Sequence, residues 1–165
     1  MTRTTLVLFS SLVLLPAAAC GKKGASEAPP PAKPASGSPM VFEVSKVTPG
    51  GDHSGAIKLR GYNFGDKTIG QYLILMRYTD AAGKPLKVMV GTPFEKDTDF
   101  WSMAGNKYKC APKHWCDFEV DHLDVPKDAV KAEVVAGQLT ALGPDGMKFE
   151  DKPLYDTGNG MDWPK

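Results

Sequence analysis

The 165-residue chain predicts an antiparallel β-sandwich set behind a leader and a proline-rich tether. Three observations predict it. Ile57 and Leu59 alternate with Lys58 and Arg60, the period-two pattern of a strand with one buried face. Residues 69–79 (IGQYLILMRYT) form the most apolar run of the domain, as a central strand covered on both faces requires. Clusters of Gly, Pro, Asn and Asp punctuate the chain between such runs, and short strands at these intervals make a sandwich or a barrel.

Composition narrows the class. At 42% hydrophobic residues the chain has enough apolar surface to fold, which excludes a wholly disordered protein. A net charge of +1 leaves no strong field for nucleic acid, so none is expected as a partner.

The strands are read in order. Residues 41–47 (VFEVSKV) begin the sheet and 48–51 (TPGG) close that strand. Residues 56–62 (AIKLRGY) follow, ended by Asn63, Phe64, Gly65 and Asp66. After 69–79, the run 80–83 (DAAG) makes a hairpin turn into 86–90 (LKVMV). Residues 129–139 admit two readings. Lys, Ala and Glu favour a helix stopped by Gly137, whereas Val130, Ala132 and Val134 alternate with charged residues as in a strand. The strand is preferred, because 143–146 (GPDG) suits a type I turn into a further strand at 147–150. The terminal residues 155–165 read as an irregular tail in which Trp163 docks on the domain.

The first twenty residues are of another kind. One cation, Arg3, precedes the uncharged stretch 6–15 (LVLFSSLVLL), which is far shorter than the roughly 20 apolar residues of a bilayer span. Pro16 interrupts it, and Ala17, Ala18 and Ala19 supply the small residues of a signal cleavage site. Cys20 and Gly21 follow. Residues 1–21 resemble the bacterial lipoprotein signal, with Ala17 where Leu is more usual. The resemblance implies that 1–19 are removed and that the Cys20 thiol is lipidated. Two or three acyl chains there would hold the protein on a membrane, since each buried CH₂ contributes about 0.8 kcal/mol. Gly21 in place of Asp implies the outer membrane of the cell envelope, facing the periplasm. The alternative is an ordinary signal cleaved near Ala19 beside an incidental cysteine.

Residues 20–39 are then the lipidated cysteine and a flexible Pro/Ala/Gly/Ser tether, and 40–165 the folded domain. Of the nineteen residues 21–39, fifteen are Gly, Ala, Ser or Pro, too few apolar groups to offset ordering entropy. Pro29, Pro30 and Pro31 favour polyproline II, with a reach of up to roughly 60 Å for the whole tether. Lys22 and Lys23 beside the anchor either attract anionic lipid or serve solubility.

Within the domain, residues 61–69 (GYNFGDKTI), the apolar strand and 80–86 (DAAGKPL) resemble the bacterial Phe-x-Leu-Tyr-Asp family of immunoglobulin-like domains. The naming motif reads Met76-Arg77-Tyr78-Thr79-Asp80 here, so only Asp80 is kept. The resemblance implies an immunoglobulin-like sandwich and an extracytoplasmic accessory module without catalytic residues.

Three groups of side chains are candidates for chemistry. Cys110 and Cys116 remain once Cys20 is lipidated, an even pair in an oxidising compartment, and a disulfide is expected. The alternative is copper or zinc handling by Cys110, His114 and Cys116. His53 and His122, in polar surroundings without a nucleophile motif, read as exposed histidines, and no enzyme activity or cofactor is expected. Finally, 91–118 is a long insertion carrying Phe94, Phe100, Trp101, Tyr108, Trp115 and Phe118. Long ordered loops are commonly functional, and Trp and Tyr concentrate binding energy. Phe100, Trp101, Tyr108 and Trp115 are therefore candidates for contact with an envelope protein or cell-wall partner. Inward folding of these rings to cap an open end of the sandwich is the competing reading.

Overall fold

A computed structural model describes residues 28–158 and 160–164. The leader and Cys20 lie outside the described residues.

Among the described residues eight strands form two antiparallel sheets: β1 (Met40–Thr48), β2 (Gly50–Asn63), β3 (Ile69–Thr79), β4 (Pro85–Leu86), β5 (Asp99–Ala104), β6 (Trp115–Val125), β7 (Lys131–Ala141) and β8 (Tyr155–Asp156). One sheet has the order β1-β2-β6. The other has β4-β3-β7-β8, with β5 also paired to β3. β1-β2-β6 and β3-β7-β8 take the places of strands A-B-E and C-F-G in an immunoglobulin-like sandwich.

The core is made by the inward alternate residues of both sheets. Ile57 and Leu59 of β2 and Phe118 and Val120 of β6 face Tyr72, Ile74, Met76 and Tyr78 of β3. Tyr72 meets Phe118 edge-on with centroids 5.3 Å apart, an arrangement that suits the ring quadrupoles. The burial of Tyr72 and Tyr78 raises both phenol pKa values.

The outer face of β3 is also covered, by the C-terminal tail. β7 bulges at Gly137, where a Cβ would collide with the carbonyl oxygen of Gly160. Leu75 lies beneath and is 1% exposed. Trp163 completes this cover, with the Arg77 guanidinium 3.9 Å from its ring centroid.

Several expected elements are shorter, longer or new. The strand expected at 86–90 is only the two residues of β4, because Val88 pairs instead with Lys96 and Met89 turns left-handed at φ 53°. At 147–150 a single bridge, Leu142 to Phe149, replaces a strand. The turn before it is as expected, with the Gly146 N–H donating to Gly143 O and Asp145 Oδ1 accepting from the N–H groups of Met147 and Lys148. The helix alternative for 129–139 is excluded by the eleven-residue strand β7. The insertion is no plain loop: it contains β5, a 3₁₀ turn at Asn106–Tyr108 and the start of β6. The tail, expected to be irregular, contributes β8.

A disulfide joins Cys110 to Cys116, with Cα atoms 5.6 Å apart. Although its loop is short, it links the two sheets. Cys110 exchanges both backbone hydrogen bonds with Ile69 at the start of β3, and Cys116 pairs with Gly61 of β2.

Candidate functional site

At the other end of the sandwich β2 and β6 both break their pairing register. Gly50 and Gly55 oppose Val125 and Leu123, and irregularities fall on either side of Gly55. His53 on β2 and His122 on β6 sit at these breaks with φ of 59° and 60°. Asp124 ties the strands, its Oδ1 accepting from the His53 backbone N–H at 2.8 Å and its Oδ2 lying 3.3 Å from His53 Nδ1. The irregularity reverses strand parity in β6: Phe118 and Val120 point inward before it, Leu123 and Val125 after it.

These breaks open a cleft of about 380 Å³ lined by His53, Met89, Asp99, Phe100, Trp101 and His122, among others. Of the four non-glycine residues with left-handed backbone among the described residues, three line it: His53, Met89 and His122. Such conformations cost free energy and cluster where a surface is shaped for use. A second cleft of about 630 Å³ continues past His53 and Met89 towards Lys127.

The rim is apolar. Of the eight large hydrophobic residues exposed among those described, four lie between 89 and 100: Met89, Val90, Phe94 and Phe100, the middle two 69% exposed. Lys96, Asp99 and the two histidines line the same cleft as Met89 and Phe100.

Asp99 lies in the cleft, largely withdrawn from solvent. Burial raises its pKa, against the lowering effects of the Phe100 backbone N–H and of Lys96 at 3.6 Å. The folded state thus holds the proton more tightly than the unfolded chain. The stability this gives is complete below the ordinary Asp value of about 3.9 and is lost as pH rises through the raised folded value. Asp99→Asn is therefore expected to be more stable than the parent at pH 7, with the difference closing below about pH 4. Urea denaturation at both values checks it, and an Asn variant weaker at pH 7 would refute it.

The four aromatic candidates do not share one surface. Phe100 and Trp101 reach the cleft, although Trp101 also packs on the core. Tyr108 packs inward, its ring stacked at 6.5 Å on Phe118. Trp115 lies at the disulfide end, edge-on to Tyr62 at 5.3 Å, with Arg60 over its face and its indole N–H donating to Ala28 O at 3.0 Å. The rings of the insertion thus part ways: Tyr108 and Phe118 turn inward, while Phe94 and Phe100 stay outside.

Met89, Val90 and Asp99 were not singled out from sequence. The one available signal was the repeated Asp-His pair, Asp52-His53 and Asp121-His122. The disulfide occupies both sulfurs of the Cys110/His114/Cys116 loop, and among the described residues no group of three or more His, Cys, Asp and Glu is arranged to hold a metal ion. No family model, no curated protein and no solved structure matches this chain.

Proposed function

We propose that the chain is a bacterial envelope lipoprotein, anchored through lipid on Cys20, whose sandwich is a non-catalytic module that binds another envelope protein with the cleft between 89–101 and the β2/β6 break. One observation carries the binding reading: exposed Met89 and Phe100 line the cleft beside His53 and Trp101, and Val90 and Phe94 stand exposed in the chain segment between them. Aliphatic and phenyl side chains mixed in this way suit a protein surface, where apolar burial supplies the driving force. The anchor reading rests on residues 1–21 and their likeness to a lipoprotein signal. The competing metal-handling reading through Cys110, His114 and Cys116 requires the disulfide to be reduced first.

Cross-linking in intact cells tests the proposal. Val90→Asp with Phe94→Asp changes two side chains that the core does not use, so stability is expected to stay within about 0.5 kcal/mol. The cross-linked protein partner is expected to be lost. Cys20→Ser is expected to move the chain from membrane to soluble fractions while leaving the purified domain's partner binding intact. Retained cross-links in the double variant would refute binding through the exposed 89–100 segment, and retained membrane fractionation would refute the anchor.

A further inference from the structure

The tether residues nearest the domain are not free of it. From Ala28 to Ala35 burial has a period of three: Ala28, Pro31 and Pro34 are half-buried, whereas Pro29, Pro30, Ala32, Lys33 and Ala35 are exposed. Polyproline II has three residues per turn, so a segment of that form resting on a surface covers every third residue. No hydrogen-bonded secondary structure is formed over 28–34, as that helix also requires.

The segment is held at both ends. Ala28 O accepts from the Trp115 indole, and Pro39 O accepts from the Phe64 backbone N–H at 2.8 Å. Between them the chain turns, the Gly37 N–H donating to Pro34 O at 3.2 Å, and Ser38 is buried. Trp115 and Phe64 both pack edge-on against Tyr62, at 5.3 and 4.8 Å. Aromatic rings side by side with an indole N–H aimed at a backbone carbonyl are the means by which proline-rich ligands are recognised, because polyproline II presents bare carbonyls and loses little entropy on docking.

We infer that Tyr62, Phe64 and Trp115 form a polyproline-binding groove and that its ligand is this chain's own segment 28–34. Two consequences follow. The tether leaves the sandwich at the Trp115 end, the end remote from the His53 cleft. If the chain is anchored as proposed above, the eight steps from Cys20 to Ala28 span at most about 29 Å, against roughly 60 Å for the whole tether. The cleft would then be held facing away from the anchoring membrane.

The groove can be tested without the anchor, on soluble chain from residue 20 onwards carrying Cys20→Ser. The probe is the exchange rate of the Trp115 indole N–H with solvent, followed by NMR beside those of Trp101 and Trp163. Replacing Pro31 and Pro34 by Gly leaves the sandwich untouched and removes the preformed helix. Exchange at Trp115 is expected to speed up about fivefold, the scale of one hydrogen bond, with Trp101 and Trp163 unchanged. A synthetic peptide of residues 26–37, added to that variant, is expected to return the Trp115 signal to its parent position. Equal exchange in parent and variant would overturn the docking. Faster exchange that the peptide does not reverse would overturn the groove as a polyproline reader. Neither result bears on Cys20, whose failure would show only in fractionation.

Discussion

Asn63→Ala is expected to destabilise the protein by about 3 kcal/mol, read as a lowered urea midpoint with an unchanged slope. Asn63 is fully buried at the end of β2. Its Nδ2 donates to Lys67 O at 2.9 Å and to Cys110 O at 3.0 Å, and its Oδ1 accepts from the Gly65 N–H at 2.8 Å. Its backbone holds the neighbouring loop as well, the N–H donating to His114 O and the carbonyl accepting from the Lys113 N–H. Alanine keeps those backbone bonds and removes the three side-chain ones. Each buried group left without a partner costs about 1–3 kcal/mol; Cys110 O retains its bond from Ile69, so two groups are orphaned and the total falls in the lower half of about 2–6 kcal/mol. Asn63→Asp would turn an oxygen towards two carbonyls, so it is expected to be no better at pH 7 and to recover as acid protonates it. A loss below 1 kcal/mol for the alanine variant would show that the loop holds without this side chain.

The sandwich was legible where a strand has one wet and one dry face, or is buried on both. The alternation of Ile57 and Leu59 with Lys58 and Arg60 and the run at 69–79 place β2 and β3. β6 shows why other strands were not. Phe118 and Val120 alternate correctly with Glu119 and Asp121, but the left-handed His122 shifts the phase by one residue, so Leu123 and Val125 fall on the wrong parity for a simple count. β5 was hidden for a different reason. It is an edge strand whose Phe100 faces solvent, so its sequence lacks the apolar periodicity of a core element.

The site was half legible. Aromatic residues in a long insertion pointed to a surface, and Phe100 and Trp101 do line the cleft. Direction was the missing information: sequence spacing does not say that Tyr108 turns in to Phe118 while Phe94 turns out. Nor does it bring His53 and His122 to one concavity, since 69 residues separate them and only the β2–β6 pairing joins them. The Asn63 turn was recognised as punctuation. Its role as the buried hub between β2, the 110–114 loop and the start of β3 depends on contacts made 47 residues away.

Removing the disulfide, by Cys110→Ala with Cys116→Ala, is expected to cost about 2 kcal/mol on the chain-entropy account of a seven-residue loop. Cys110 is fully buried and packed with the core, so the missing sulfur adds to that loss. Because Asn63 Nδ2 bonds Cys110 O, the Asn63 and cysteine changes act on one segment. The triple variant is expected to lose less than the two separate losses together, by at least 0.5 kcal/mol. Strict additivity would mean that the side chain and the sulfur bridge hold different parts of the fold. The same bridge offers a test between the two functional readings. In the oxidised chain Cys110 and Cys116 are bonded to each other, while the cleft at His53 lies at the opposite end of β6. Amide exchange around the cleft is therefore expected to survive loss of the bridge. Reduced parent protein, in contrast, offers two thiols and His114 together. If zinc restored its urea midpoint to that of the oxidised form, the loop would be a metal site closed by oxidation, and the binding-module reading would have to yield its place.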